Sequence, residues 1–277
     1  MVSVYDTTST SSTSFINRND RAQSQSNTSL ASGKKINKAS DDAASLAISA
    51  LLSSDVSTLK QSATNLVQGT ALLQTADGAL EQAGNILERM ISLSSQASSA
   101  GLDTGSQNAV NDEYQSLAGE LNSLASDTSF NGRNLVDGTF SQTFQSGTDG
   151  ATTLQADLTG VDLSATGLGL SAAFGANINA LSTQSSAQAT TAEIDNAISN
   201  LANYRSQVGA LQSSFSTQGE VVETTIENTQ SANSALSDVD IGKAATDFKN
   251  SDVLTQLSMA SAAQGHKIQS SLLQLVR

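Results

Sequence analysis

Leucines recur every seven residues at Leu52, Leu59, Leu66, Leu73, Leu80 and Leu87. A seven-residue apolar repeat is the pattern of a helix packed along its length on another helix. Val56, Ala63 and Ile91 supply part of a second stripe four residues on, and Thr70, Asp77 and Gly84 interrupt it. The pattern predicts one helix over about 43–100, on the order of 85 Å long at ~1.5 Å per residue. Such a helix needs a partner of similar length. Ile194, Leu201, Val208, Phe215, Val222, Thr229 and Leu236 repeat with the same period, and Ile198, Leu211 and Ile226 widen the stripe. These residues predict a second long helix within 182–236, the natural partner of the first.

Between them, Ala100–Gly105 reads as a turn, and Val110, Tyr114, Leu117, Leu121 and Leu124 predict an amphipathic helix that folds back. Phe130-Asn131-Gly132-Arg133 is expected to end it. Over 133–180 glycine becomes frequent, and Asp137-Gly138 and Asp149-Gly150 are hairpin signals. A last helix is expected over about 241–275, with Val253, Leu257, Ala260, Ile268, Leu272 and Leu275 as its apolar face. Asp238 or Asp240 would cap it. Residues 1–29 are rich in Ser, Thr, Asn and Gln, and in isolation should be disordered or weakly helical. Lys34, Lys35, Asn37, Asp41 and Asp42 lie in a charged connector, where Asp41 or Asp42 can cap the long helix.

The expected fold is therefore mainly α. A long helical bundle or coiled coil forms from the N- and C-terminal segments, with a small β-hairpin region in the middle. The divisions are 1–42, 43–132, 133–181, 182–237 and 238–277.

Composition narrows the function. The 277 residues contain no Pro, no Cys and no Trp, and only 14% are charged. Missing Pro suits uninterrupted helices, and missing Cys excludes disulfides and thiol chemistry. The net charge of −13 argues against nucleic acid, which needs a basic face. No apolar run is long enough to span a membrane. The first 30 residues carry no apolar signal-peptide core, so export is expected to use a route that reads none. His266 is the sole histidine, too little for a metal or catalytic site built on histidines. No enzyme activity, cofactor or metal is expected. The bland role of the connector charges is a solvated, capped loop.

Ser32-Gly33-Lys34-Lys35-Ile36-Asn37, then Asp41-Asp42-Ala43-Ala44-Ser45-Leu46-Ala47-Ile48, resemble the N-terminal signature of the bacterial flagellins. Leu72 to Leu80 and Ile86 to Met90 resemble it too, and Thr128-Ser129-Phe130-Asn131-Gly132 is similar to the close of the family's third core helix. Tyr204 to Ala210, Ser237-Asp238-Val239-Asp240 and Ser271 to Arg277 are similar to the C-terminal signature. The likeness covers about 15–136 and 185–277. Residues 5–29 are more polar than the family's usual first helix, and Ala263-Gln264-Gly265-His266-Lys267 also departs from its pattern.

The resemblance implies a secreted, extracellular subunit of the flagellar filament, serving swimming motility. Its terminal segments would pair into an inner tube through Val253, Leu257, Ile268, Leu272 and Leu275. The heptad helices would form the wall, and Lys34, Lys35, Asn37, Asp41 and Asp42 would set connector and subunit contacts. Arg89, Leu93 and Glu113 resemble positions of lateral or immune-receptor contact. Implied partners are further copies or other flagellins, the hook–filament junction protein, the filament cap and an export chaperone. The route would be the flagellar type III apparatus. The competing readings are a junction-like protein that forms a short ring, and a surface homologue that binds polysaccharide. The second should show aromatic or carboxylate clusters in the middle, and Phe140, Phe144 and Phe174 are too few and scattered to argue it.

Overall fold

The computed structural model describes the backbone of residues 2–99, 101–170 and 180–275, and their side chains except 2–10, 12, 269 and 272–275. Among the described residues, six helices and four strands follow one another. They are α1 (Val2–Ser32), α2 (Ala43–Ala97), α3 (Thr104–Asp127), β1 (Ser129–Phe130), β2 (Arg133–Asn134), β3 (Ser141–Gln145), β4 (Thr153–Asp157), α4 (Ala165–Leu168), α5 (Gln184–Ser237) and α6 (Ile241–Leu275). Two compact units result: an end unit of Met1–Val56 with Glu227–Arg277, and a central unit of Ser57–Ile226.

The central unit is organised by the leucine repeat of α2. Beside that repeat runs a second buried row of Ser62, Gly69, Ala76, Ala83, Met90 and Ala97. Each stands three positions after a repeat leucine or, for Ala97, after Ser94, which continues the repeat. The expected second stripe at Val56, Ala63, Thr70, Asp77, Gly84 and Ile91 is instead a flank, most of it half-buried. The difference has a packing reason. One seam row is large and the other mostly small, so α5 comes close to α2 and places its own large side chains over the small row. Gly69 makes this plain: a Cβ built there would lie 2.2 Å from Cε1 of Phe215. Along the same helix pair, Leu201 Cδ2 lies 3.5 Å from the corresponding point on Gly84, and Ser94 Oγ meets Ala187 O at 2.8 Å. The partners run in opposite directions along the two helices, so α2 and α5 are antiparallel.

Helix α3 starts where Asp103 caps it, accepting from Ser106 N and Gly105 N. Its Val110, Tyr114, Ala118, Leu121 and Ala125 are buried in the same core. The chain then turns at Asn131-Gly132, with φ of 52° and 77°. Two successive positive φ values make the tight turn that joins β1 to β2, with Phe130 opposite Arg133. Thus Asn131-Gly132 makes a hairpin of its own, beyond ending the helix. Asp149-Gly150 lies in the loop joining β3 to β4, as expected, with Asp149 Oδ1 accepting from Ala151 N and Thr152 N. Asp137-Gly138 does not join two strands of a hairpin. Gly138 N donates to Val161 O, and Leu163 N to Val136 O, so this turn pairs with a segment over 20 residues on. Leu135, Val136, Phe140, Leu158, Val161, Leu163 and Leu168 are buried, which joins the β region to the helical core.

In the end unit α1 and α6 are antiparallel partners. Asn19 Nδ2 donates to Ser258 Oγ at 3.5 Å, and Gln23 Nε2 to Asp252 Oδ1 at 3.4 Å. Residues 2–29, within the stretch expected to be disordered or weakly helical in isolation, are helical beside that partner.

The small row gives opposite signs for two glycine changes. Gly69→Ala gains about 1 kcal/mol of helix propensity but pushes a methyl into the Phe215 ring, an overpacking cost of about 1–3 kcal/mol. It should lower the denaturation midpoint. Gly119→Ala on the exposed side of α3, where a Cβ meets nothing within 4 Å, should raise it. Urea melts of the two variants check this; a stabilised Gly69→Ala would refute the packing account.

Candidate functional site

The surfaces that could engage neighbours lie on both units. In the end unit, the connector between α1 and α2 is tied to the connector between α5 and α6. Lys35 N donates to Ser237 O at 2.7 Å and Val239 N to Gly33 O at 3.0 Å, bridging Lys34 and Asp238 as a one-rung antiparallel ladder. Gly33 permits the reversal with φ of 70°. Asn37 Nδ2 donates to Lys34 O, and Asp41 Oδ2 accepts from Asn37 N and Lys38 N. Asp41 thus folds the loop, and Asp42 is the cap of α2, accepting from Ser45 N at 3.0 Å and Ser45 Oγ at 2.6 Å. The Ser45 hydroxyl, then the Ser45 amide, hold the Asp42 carboxyl below the usual carboxylate range. Asp240 caps α6 through Lys243 N. All five connector candidates therefore fall within one hydrogen-bonded loop system, and Lys34, Lys35, Asp41 and Asp42 are exposed.

The face of α6 turned to α1 is not the one its apolar residues mark. Ala244 and Thr255 are buried, and Phe248, Ser251, Asp252, Ser258 and Ala262 are half-buried. On α1 the matching residues are Ile16, Asn19, Gln23, Ser26 and Ser29. This seam has the spacing of a coiled coil and polar or small residues at most positions. Hydrophobicity could not reveal it; the three-and-four spacing of Asn19, Gln23 and Ser26 was the available signal. Val253, Leu257 and Ile268 are instead 60%, 64% and 51% exposed, with Leu254 and Met259 beside them. The side chains of Leu272 and Leu275 lie outside the described residues, as does Phe174.

In the central unit the core candidates Leu59, Leu66, Leu73, Leu80, Leu87, Ile194, Leu201, Val208, Phe215 and Val222 are buried together. Leu52 and Leu236 are half-buried in the end unit. Arg89 Nε donates to Glu113 Oε1 at 2.8 Å across α2 and α3, on the exposed surface. Leu93 is 2% exposed. Its side chain belongs to the core and is unavailable as a surface contact, which corrects its grouping with Arg89 and Glu113. The heptad phase accounts for this: Leu93 directly precedes Ser94 on the buried seam. No group of three or more metal-ligating side chains is found among the described residues.

The bacterial flagellin N-terminal helical region matches residues 5–141, and the bacterial flagellin C-terminal helical region matches 191–276. The chain is 35% identical to a flagellin of Halalkalibacterium halodurans, over 90% of this chain and 89% of the relative. It is 30% identical to a flagellin of Bacillus subtilis, over 95% of each. A crystal structure of Bacillus cereus flagellin aligns with 60% of this chain and 88% of its own, at 22% identity and a TM-score of 0.46.

The Asp42 cap has a pH signature. A carboxyl held low in the folded chain contributes stability above the ordinary carboxylate pKa of about 4, and loses it as pH falls through the lower folded value. Hydrogen exchange at the Ser45 amide should therefore quicken, relative to mid-helix amides, as pH drops below that range. Asp42→Ala should show the fast exchange already at pH 7 and no further acid step. An acid step that survives in Asp42→Ala would show that another group controls the helix start.

Proposed function

The chain belongs to the bacterial flagellin family, and from that premise we propose how its surfaces build a filament. As a flagellin it is a structural subunit of the flagellar filament and not an enzyme. The observation that carries the proposal is the outward turn of the apolar residues on α6. Val253, Leu257 and Ile268 face away from the helix that α6 pairs with inside the chain. Each gains on the order of 1 kcal/mol or more when a neighbouring copy covers it, since full burial of such side chains is worth about 1.5–3 kcal/mol. Leu272 and Leu275 continue the same stripe by sequence. The end unit is read as the inner-tube contact, with Lys34, Lys35, Asn37, Asp41 and Asp42 placing charge at the subunit junctions. The central unit is read as the wall, and Arg89 with Glu113 as part of a lateral contact.

The rest of the life cycle is proposed on family grounds. The subunit is secreted through the flagellar export apparatus, escorted by a chaperone, and joins the filament between junction protein and cap. The chain's freedom from disulfides suits an unfolded passage. The polysaccharide-binding alternative gains nothing from the aromatics. Phe140 is buried, and Phe144 packs edge-on against Phe215 with ring centres 5.4 Å apart, so neither offers a stacking platform. Nothing favours the short-ring alternative.

Purified protein added to filament seeds should grow long filaments visible by electron microscopy. The double change Val253→Ser with Leu257→Ser should leave monomer helicity within error, because both side chains are exposed there. It should raise the critical concentration for growth at least tenfold, as two lost contacts of this size would. Normal growth of the double variant would remove α6 from the interface.

A further inference from the structure

The chain offers an oxidant few targets. It contains no Cys and no Trp, and its three methionines are Met1, Met90 and Met259. The thioether is therefore its side chain most open to two-electron oxidation. Met1 lies outside the described residues, and burial separates the other two. Met90 is 0% exposed in the second buried row of α2, whereas Met259 is 50% exposed on α6. Thr255, four positions before Met259, is buried, and Ala262, three positions after it, is half-buried. Residues three and four apart share a helix face, so Met259 borders the α1 seam, partly covered by the chain and partly open to solvent. It is among the large apolar side chains that α6 leaves exposed, with Val253, Leu254, Leu257 and Ile268.

We propose that Met259 is a modification site, oxidised by peroxide in the free chain and shielded in the assembled one, and that its sulfoxide hinders assembly. This rests on the filament reading above, in which neighbouring copies cover the exposed side chains of α6. The step is an oxygen transfer. The sulfur lone pair of Met259 attacks one oxygen of hydrogen peroxide, and the S–O bond forms as the O–O bond breaks. The proton of the transferred oxygen passes to the departing hydroxide, which leaves as water. Sulfur loses two electrons and the peroxide gains them. The product replaces a flexible apolar side chain with a polar, chiral one. In the free chain the new oxygen stays hydrated, so the end unit loses little. Under a neighbouring copy the same oxygen is withdrawn from water, and burying such a group without a hydrogen bond is costly. Met90 is spared by its burial, so the central core keeps its packing.

The test exposes the full chain to hydrogen peroxide, free and as seed-grown filaments, and follows each methionine by peptide mass spectrometry. In the free chain the sulfoxide should form about tenfold faster at Met259 than at Met90, because exposure governs the rate. In urea, where neither is enclosed, the two rates should converge. Filaments should slow oxidation of Met259 about fivefold or more, by the same dependence on exposure. Once peroxide is removed, the oxidised chain should need about threefold more protein to grow on seeds, and methionine sulfoxide reductases acting on both epimers should restore growth. Met259→Leu, which conserves volume, should grow normally before peroxide and equally well after it. The proposal is overturned if Met90 reacts as fast as Met259 in the folded chain, or if filaments leave Met259 as reactive as it is in the free chain. Normal growth of the oxidised chain would overturn it too. So would a loss of growth in peroxide-treated Met259→Leu equal to the parent's, which would place the damage at another residue. Failure of the unaltered chain to grow on seeds before any peroxide is a different result; it would sink the filament reading, and this proposal with it.

Discussion

The central unit depends on the notch at Gly69. Phe215 enters it from α5, close enough that even one methyl carbon on α2 would overlap its ring, and Phe144 of β3 meets the same ring edge-on. One side chain thus joins two long helices and the β region. The wider rule is the alternation of large and small rows along the α2 seam. Leucines give area, and Ser62, Gly69, Ala76 and Ala83 give proximity. Uniformly large residues would hold the helices apart and leave the ring without a close-fitting site. Uniformly small ones would bury too little area to offset the entropy of ordering helices of 55 and 54 residues.

The end unit follows a different logic. Its seam is lined by Asn19, Gln23, Ser26, Ser29, Thr255 and Ser258, which contribute little apolar burial. The Thr255 hydroxyl is buried there without a hydrogen-bond partner. A helix pair built in this way is poorly stabilised by its own contacts, because hydrogen bonds between such groups largely exchange for ones to water. What the polar seam supplies is register and direction, as polar residues at core positions do in coiled coils. Phe248 is half-buried on this seam, whereas Val253, Leu254, Leu257, Met259 and Ile268 are left on the outside.

How much of this could be read from the sequence depended on the physical signal each feature carries. The leucine repeat and its partner on α5 were legible because large apolar residues rarely keep a seven-residue spacing over six successive positions unless a second helix lies against them. The caps were legible to within two candidates each, Asp41 or Asp42 and Asp238 or Asp240, of which Asp42 and Asp240 meet the free helix amides. The small row was not legible: Gly69 and Ala76 register as absent hydrophobicity, although absence is what admits Phe215. The polar α1–α6 seam was hidden for the same reason, while Val253, Leu257 and Ile268 of the expected apolar face of α6 lie off that seam and are exposed. Leu93 was misplaced because a motif fixes identity without fixing which way a helix faces. At Asp137-Gly138 the turn chemistry was right, yet the partner strand is chosen by distant pairing with Val161 and Leu163, which no local pattern encodes.

The filament reading proposed above asks how exposed apolar residues on one chain can wait for an ordered neighbour. Exposed apolar residues on α6 alone would favour indiscriminate sticking, since hydrophobic association is non-directional. A net charge of −13 on each copy opposes it through mutual repulsion. Attraction at a few residues and repulsion over a wide surface do not cancel in every arrangement. A misaligned pair gains a fraction of the apolar contact and meets nearly all of the repulsion. In the filament proposed above each α6 would be covered by neighbours, so only an ordered arrangement would gain the whole apolar contact. Such a balance would favour growth at an existing ordered end over association of free subunits.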